Sequence, residues 1–273
     1  MKRVVLISSA PGRAGADALI RALGAHPSVS VSPCGPPVLT SLHELAIYGD
    51  DSADRYLPRR AAQALTDTLD RLQQCGPHGH DVAEGLLRST AARSVDIPVY
   101  GELWLPTPRK RDSWLQLARD MIVELDPDPG NVTLVKAGFA MSRGLNRILK
   151  ADDLHVSMVR HPVTLVETLT DSRVDSMRLD EAIALVEQAA LGTGEGSHHC
   201  NSIMEVRLED LCADPFRVLA LVAERLGLDE SYEWMSHAAR TLPSDIRIPD
   251  LRRSPRVGGY SPPQSVLAAW GYA

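Results

Sequence analysis

Short apolar runs alternate along this chain with longer stretches in which apolar positions recur every three or four residues. The short runs are Val4–Ser8, Ile97–Tyr100, Val132–Lys136, His155–Val159 and Ile203–Arg207. Each is rich in Val, Ile or Leu and bounded by turn residues, which predicts strands buried on both faces of a parallel sheet. Helical spacing predicts Ala16–Leu23, Ala53–Gln74, Ser113–Glu124, Ser142–Leu149, Leu179–Ala190 and Pro215–Leu226. In the last of these, Phe216, Leu219, Val222, Ala223 and Leu226 keep the i, i+3, i+4 rhythm of one buried face. Asp214 stands at its N-cap and Pro215 at its first position. Pro162 opens a further helix directly after the strand that ends at Val159. Strands alternating with helices predict an α/β fold with a parallel sheet covered on both sides, and a single domain over 1–273 is the economical reading.

Composition narrows the partners. The chain is 44% hydrophobic and 23% charged, ordinary for a globular core. A formal charge of −6 argues against general nucleic-acid binding, which needs a basic face. No apolar run approaches the ~20 residues of a membrane span. Met1-Lys2-Arg3 before "VVLISSA" resembles a leader only superficially, because a periodic helix follows where a cleavage region would stand. A first strand and a cytoplasmic protein are therefore expected. Cys34, Cys75, Cys200 and Cys212 form no CxxC pair, so reduced thiols are expected. The clusters His198–Cys200 and His78–His80 lie in Gly-rich loops without a second ligand group at useful spacing, so no metal site is expected.

The chemistry begins in "VVLISSAPGRAGADALIRALG" (Val4–Gly24), a strand, a Gly/Pro turn with one arginine, and a helix. A strand delivers the chain to the sheet's carboxyl edge, and the helix after it turns its free N–H groups back to that edge, where an anion is favoured. Gly12 and Gly15 permit close approach, and Arg13 adds a fork suited to phosphate or sulfate oxygens. The loop lacks the Gly-Lys-Ser/Thr of an ATPase, and Asp17 would repel a phosphate. A plain strand–turn–helix with a surface arginine is the alternative. The second strand end, in "LHVSMVRHPVTLVETLTDS", carries Arg160, with Thr168 about two helical turns away near the same mouth. An arginine there needs an anion or a carboxylate, with Glu167 or Asp171 as candidate internal partners. Arg252, Arg253 and Arg256 in "LRRSPRVGGY" form a third basic cluster, so three anion-competent places suggest a ligand with anions at both ends.

These stretches resemble the sulfotransferase family, which uses 3′-phosphoadenosine-5′-phosphosulfate (PAPS) on a P-loop NTPase-like three-layer α/β sandwich with a central parallel sheet. "APGRAGADALIRALGAHPSV" is similar to the family's 5′-phosphosulfate loop, Pro-Arg/Lys-Ser-Gly-Thr-Thr. "VRHPVTLVET" is similar to its 3′-phosphate motif, "MEVRLEDLCADPFRVLALVAERLGL" to its "RYEDL…LGL" block, and "SPRVGGY" with "WGY" to the closing loop of bacterial members. The resemblance implies that Arg13 and the backbone of Ala14, Gly15, Ala16 and Asp17 meet the 5′-phosphosulfate. It implies Arg160 and Thr168 at the 3′-phosphate, with Arg256, Val257 and Gly258 assisting. "SLHELAIYGD" is similar to the segment whose glutamate removes the acceptor's proton, which points to Glu44, with His43 beside it and Glu102 as further candidates. "NVTLVKAGFAMS" places Lys136 at the sulfuryl group. Lys136 ends an apolar strand in a chain where only four of the 29 basic residues are lysine. A snorkelling strand-end lysine is the alternative.

The implied reaction moves a sulfuryl group to a hydroxyl of a small-molecule or glycan acceptor, leaving 3′,5′-adenosine bisphosphate (PAP). Such transfer needs positioning, a base, and cations on the oxygens that gain charge, for which arginine and lysine suffice. Residues 33–60 and 75–112 fall between the donor motifs and are read as the acceptor side.

The chain also departs from the pattern. Ser-Gly-Thr-Thr becomes Ala14-Gly15-Ala16-Asp17, Gly12 is inserted before Arg13, His161 follows Arg160 where an acid is usual, and Leu208 replaces the tyrosine of "RYEDL". A catalytically inactive binding protein of the same fold, and a nucleotide kinase or NTPase, are the competing readings.

Overall fold

Strand β1 (Arg3–Ser9) lies in the middle of a five-stranded parallel sheet, and its composition suits that place: Val4 to Ile7 are buried on both faces. The computed structural model describes residues 2–9, 11, 13–32, 39, 70–71, 94–99, 103–108, 116, 119–120, 122–124, 126, 130–138, 142, 144–171, 177–192, 203–243, 257 and 259–273. From β1 the chain passes through α1 (Ala16–Gly24) to the short strand β2 (Val29–Val31). A two-stranded pair follows, β3 (Ser94–Val99) and β4 (Leu103–Pro108), and then β5 (Val132–Gly138) and β6 (Leu154–Val159). After β6 come α2 (Pro162–Thr170), α3 (Leu179–Gly192), β7 (Ile203–Arg207), α4 (Leu208–Ala213), α5 (Pro215–Leu226), α6 (Tyr232–Arg240) and α7 (Gln264–Ala269).

The sheet order is β2-β5-β1-β6-β7, with every pair parallel. Chain direction therefore diverges at β1. The path from β1 leads out to β2 on one side, and that from β6 leads out to β7 on the other. In open parallel sheets, the crevice at such a divergence is where ligands meet the carboxyl ends of strands. The register puts Ser9 opposite both Gly138 and Met158, so the ends of β5, β1 and β6 lie level.

Alternate residues of the central strands (Val5 and Ile7, Val132 and Leu134, Val156 and Met158) join one apolar cluster with Leu19, Leu23, Leu219, Val222 and Trp234. Helix α1 packs against α6 and β2, α2 packs on α3, and α7 on α3. The other parity carries buried polar groups, among them Ser8, Thr133, His155 and Ser157. At the opposite, amino edge of the sheet, Asp153 accepts from Val4 N at 2.7 Å and from Lys150 N at 2.8 Å. It also receives Arg119 through two bonds of 2.9 Å. That pair ties a residue from before β5 to the loop that starts β6. Both ions are nearly dry, so each carboxylate oxygen needs the donors it has.

Pro215–Leu226 is a helix over the expected span. Asp214 Oδ1 accepts from Arg217 N at 3.2 Å, and Gly227 closes the helix in the left-handed region at φ 61°. The expected strand Ile97–Tyr100 is corrected in extent and pairing. Residues Ser94–Val99 form an antiparallel pair with Leu103–Pro108, separate from the parallel sheet. Three residues separate the two strands, far too few for a parallel crossover. Pro98, Pro106 and Pro108 also lack the N–H that a central strand would donate. The helix expected at Ser142–Leu149 tightens into a 3-10 turn at Asn146–Ile148. Most of the helix expected at Ala53–Gln74 lies outside the described residues.

Candidate functional site

The loop between β1 and α1 is held by an unusual backbone. Gly15, the N-cap of α1, sits at φ 94°, and Arg13 sits at φ 56°, a left-handed conformation rare for a residue with a side chain. A Cβ at Gly15 would lie 2.5 Å from Leu208 Cδ1, so the start of α4 presses directly on the loop. Ser9 Oγ accepts from Ala16 N at 3.3 Å and so caps the first turn from the strand side. Ala14 and Ala16 are buried in the apolar cluster. Their side chains therefore face inward, away from any ligand. The first-turn N–H groups of a helix point out of its end, here toward the carboxyl edge.

Arg160 follows the last residue of β6, and α2 starts two residues later. Its Nη1 donates to Thr168 Oγ1 at 3.3 Å, and that hydroxyl donates to the Thr164 carbonyl at 2.7 Å. Arg13 Nη1 comes to 3.5 Å from the Thr168 carbonyl. Two guanidinium groups from neighbouring strand ends thus meet at one residue. No carboxylate among the described residues pairs with either, so Glu167 and Asp171 do not fill that role. Arg160 Nε is buried without a hydrogen-bond partner. Like charges gathered this way favour an anion between them.

Lys136 and Asp17 pair at the same sheet edge. Lys136, in register with Ile7, places Nζ 2.6 Å from Asp17 Oδ1. Both side chains are more than half exposed, at 54% and 67%. Two residues read separately from the sequence therefore engage each other.

The closing segment is only partly described. Val257 is buried, and its carbonyl accepts from Tyr260 N at 2.9 Å. Tyr260 OH donates to Glu187 Oε1 at 3.2 Å, and burial, then Glu187, push its phenol well above the usual range. Arg256, Gly258, Arg252 and Arg253 lie outside the described residues. So do the three candidate bases, Glu44, His43 and Glu102, and the histidine clusters at 78–80 and 198–200. Among the described residues, no three His, Cys, Asp or Glu side chains gather as a metal cluster would, and no helix is long and apolar enough to cross a membrane.

The segments "RLEDL" and "WGY", to which the sequence assigns no role, meet next to the backbone of Arg160 and His161. Glu209, only 4% exposed, accepts from His161 N at 3.0 Å and from Tyr272 OH at 2.6 Å. Burial raises the Tyr272 phenol well above its usual range, and Glu209 adds to this, so it stays a donor. The His161 ring stands edge-on to Tyr272 at 5.0 Å, and burial lowers its pKa against the opposing pull of Glu209. Arg207 lies 5.5 Å over the Tyr272 ring. The backbone that carries Arg160 is thereby tied to the C-terminal segment. The signal available in the sequence was a buried-strand end followed by an acid, with tyrosine far downstream, which only a contact map connects.

A parallel sheet with two arginines converging at its point of divergence defines an α/β protein able to hold an anionic ligand at that edge. Among solved structures, the chain is similar to the sulfotransferase domain from the curacin biosynthetic pathway. The two share 16% identity and a TM-score of 0.50, over 98% of this chain and 96% of that one. It is also similar to the sulfotransferase domain of the Synechococcus PCC 7002 olefin synthase, at 16% identity and TM-score 0.49 over 99% and 95%. A sulfotransferase from Mycobacterium avium follows at 11% identity and TM-score 0.48, over 99% and 75%. No protein family and no curated protein matches the chain by sequence. The first likeness shows that the fold is that of a sulfotransferase domain.

Proposed function

We propose that this protein transfers a sulfuryl group from PAPS to a hydroxyl of a small-molecule or glycan acceptor. The observation that carries the reading is the meeting of Arg13 and Arg160 at Thr168, with no carboxylate between them among the described residues. The buried, unpartnered Arg160 Nε is an open donor of the kind a phosphate oxygen would take. In this reading Arg160 and Thr168 hold the 3′-phosphate, with Arg256 and the backbone of Val257 and Gly258 beside them. Arg13 and the backbone from Ala14 to Asp17 face the 5′-phosphosulfate. Bound PAPS supplies the activated sulfuryl group. Lys136 offsets the charge that builds on the oxygens during transfer, and Glu44, His43 or Glu102 takes the acceptor's proton.

Calorimetric titration with PAP, the spent donor, tests the donor site. Binding is expected, and Arg160→Ala is expected to weaken it roughly 10- to 100-fold, as the loss of charge-assisted hydrogen bonds does. A folded sample that shows no heat at millimolar PAP refutes the reading.

The ion pair between Lys136 and Asp17 favours a second reading, in which the site binds but does not turn over, because the lysine is already engaged. PAPS-dependent sulfation of any hydroxyl acceptor, followed by mass spectrometry, would exclude it.

A further inference from the structure

Asp17 occupies two favourable anion positions at once. It lies in the first turn of α1, where the helix dipole stabilises negative charge, and its carboxylate receives the Lys136 ammonium at 2.6 Å. Both are places that a ligand's anion at this loop would otherwise take. Building on the PAPS reading, we infer that Asp17 is an internal anion competing with the ligand for Lys136 and the α1 terminus. It keeps the 5′ end of the site weak, so that recognition rests on the 3′-phosphate end at Arg160 and Thr168.

The physical case is one of charge balance. The two ends of the site are built differently. At Thr168 the Arg160 guanidinium has no acidic partner among the described residues, whereas at α1 Lys136 is matched by a carboxylate. The Lys136–Asp17 pair is exposed, and such pairs are only marginally stable, so it opens readily when a ligand arrives. Opening does not remove the carboxylate, because α1 fixes Asp17 in place through a buried face of Ala16, Ala18, Leu19, Ala22 and Leu23. An anion entering here gains Lys136 but keeps a negative neighbour. The 3′ end carries no such penalty.

Two probes separate the ends: PAP carries phosphates at both the 3′ and 5′ positions, and adenosine 3′-phosphate lacks the 5′ anion. Titrations of the wild type, Asp17→Asn, Lys136→Gln and the double variant give the test, and Asp17 is exposed enough for the exchange to leave the fold intact. The wild type is expected to bind PAP within about threefold of adenosine 3′-phosphate. Asp17→Asn is expected to tighten PAP roughly tenfold at low salt, with the gain shrinking at high salt, and to leave adenosine 3′-phosphate within about twofold. Lys136→Gln should weaken PAP in both backgrounds, by the smaller factor in the wild type, where Asp17 holds part of the lysine's charge. The inference is overturned if Asp17→Asn leaves PAP unchanged or weakens it, or if it tightens both probes equally. It is also overturned if Lys136→Gln weakens PAP by the same factor in both backgrounds. A wild type that binds neither probe at millimolar concentration overturns the PAPS reading and this inference with it, a pattern distinct from the others.

Discussion

Replacing Gly15 by alanine puts one methyl group where the loop and α4 touch. Two effects add. The backbone stands at φ 94°, where an L-residue with a Cβ costs roughly 1–2 kcal/mol. The new Cβ would also meet three atoms of one side chain, at 2.5, 3.0 and 3.1 Å, all on Leu208. Leu208 is 2% exposed and belongs to the core, so it cannot swing into solvent, and overpacking of this kind costs about 1–3 kcal/mol. The expected destabilisation is therefore about 2–5 kcal/mol, read as a lower urea midpoint with an unchanged slope. Leu208→Ala supplies the control. Alone it leaves a cavity and costs about 2–4 kcal/mol, but it removes the clashing atoms. In that background Gly15→Ala should cost only the backbone part, giving a coupling of about 1–3 kcal/mol between the two sites. A cost below about 0.5 kcal/mol, or an equal cost in both backgrounds, would refute the packing described here.

Two further predictions concern buried polar groups. His155 shares a 2.8 Å hydrogen bond with Ser8 Oγ, its Nδ1 is buried without a partner, and burial lowers its pKa to about 4 from 6.5. Because the folded state resists protonation, stability is full above pH 6.5 and falls as pH drops toward 4. Relative to His155→Gln, the wild type should lose about 2 kcal/mol between pH 8 and pH 5. Parallel stability curves for the two proteins would refute that. Tyr272→Phe removes the hydroxyl that Glu209 accepts at 2.6 Å and should cost about 1–3 kcal/mol in chemical denaturation, because the buried carboxylate loses a donor. A change within about 0.5 kcal/mol would show that the C-terminal contact does not matter to Glu209.

The strands that carry the site were legible because burial on both faces leaves a simple signature. β1, β5, β6 and β7 appear as short runs rich in Val, Ile or Leu at nearly their observed bounds. The three-residue β2 and the six-residue α7 are too short to stand out, and α6, polar on average, buries only Trp234 and Ala238. The strand near Ile97 departs from the expected parallel pairing because an apolar run does not reveal its partner; only the nearness of β4 and its prolines does. At the site, Arg160 and Thr168 were legible from a strand end and a helical spacing of eight. The approach of Arg13 to the same residue was not, since it depends on β1 and β6 being neighbours although 144 residues separate Ser9 from Leu154.

The least legible feature is what became of the loop's hydroxyls. In sequence, Ala14, Ala16 and Asp17 count as three lost ligand contacts of equal weight. Their surroundings are not equal. Ala14 has no exposed surface and Ala16 has 4%, both inside the apolar cluster. A hydroxyl at either position would need a buried partner, and an unpaired one costs about 1–3 kcal/mol, so alanine suits this backbone and the loop forfeits little there. Ser9, the last residue of β1, already supplies a hydroxyl to the Ala16 amide. Position 17 alone points its side chain to solvent at the mouth of the site, and there the chain places a charge rather than a neutral donor. That charge is matched by Lys136 across the sheet edge, on a strand that pairs with β1 but lies 119 residues away in sequence. Three departures in the sequence thus reduce to one in the structure, and it acts on electrostatics rather than on hydrogen-bond count.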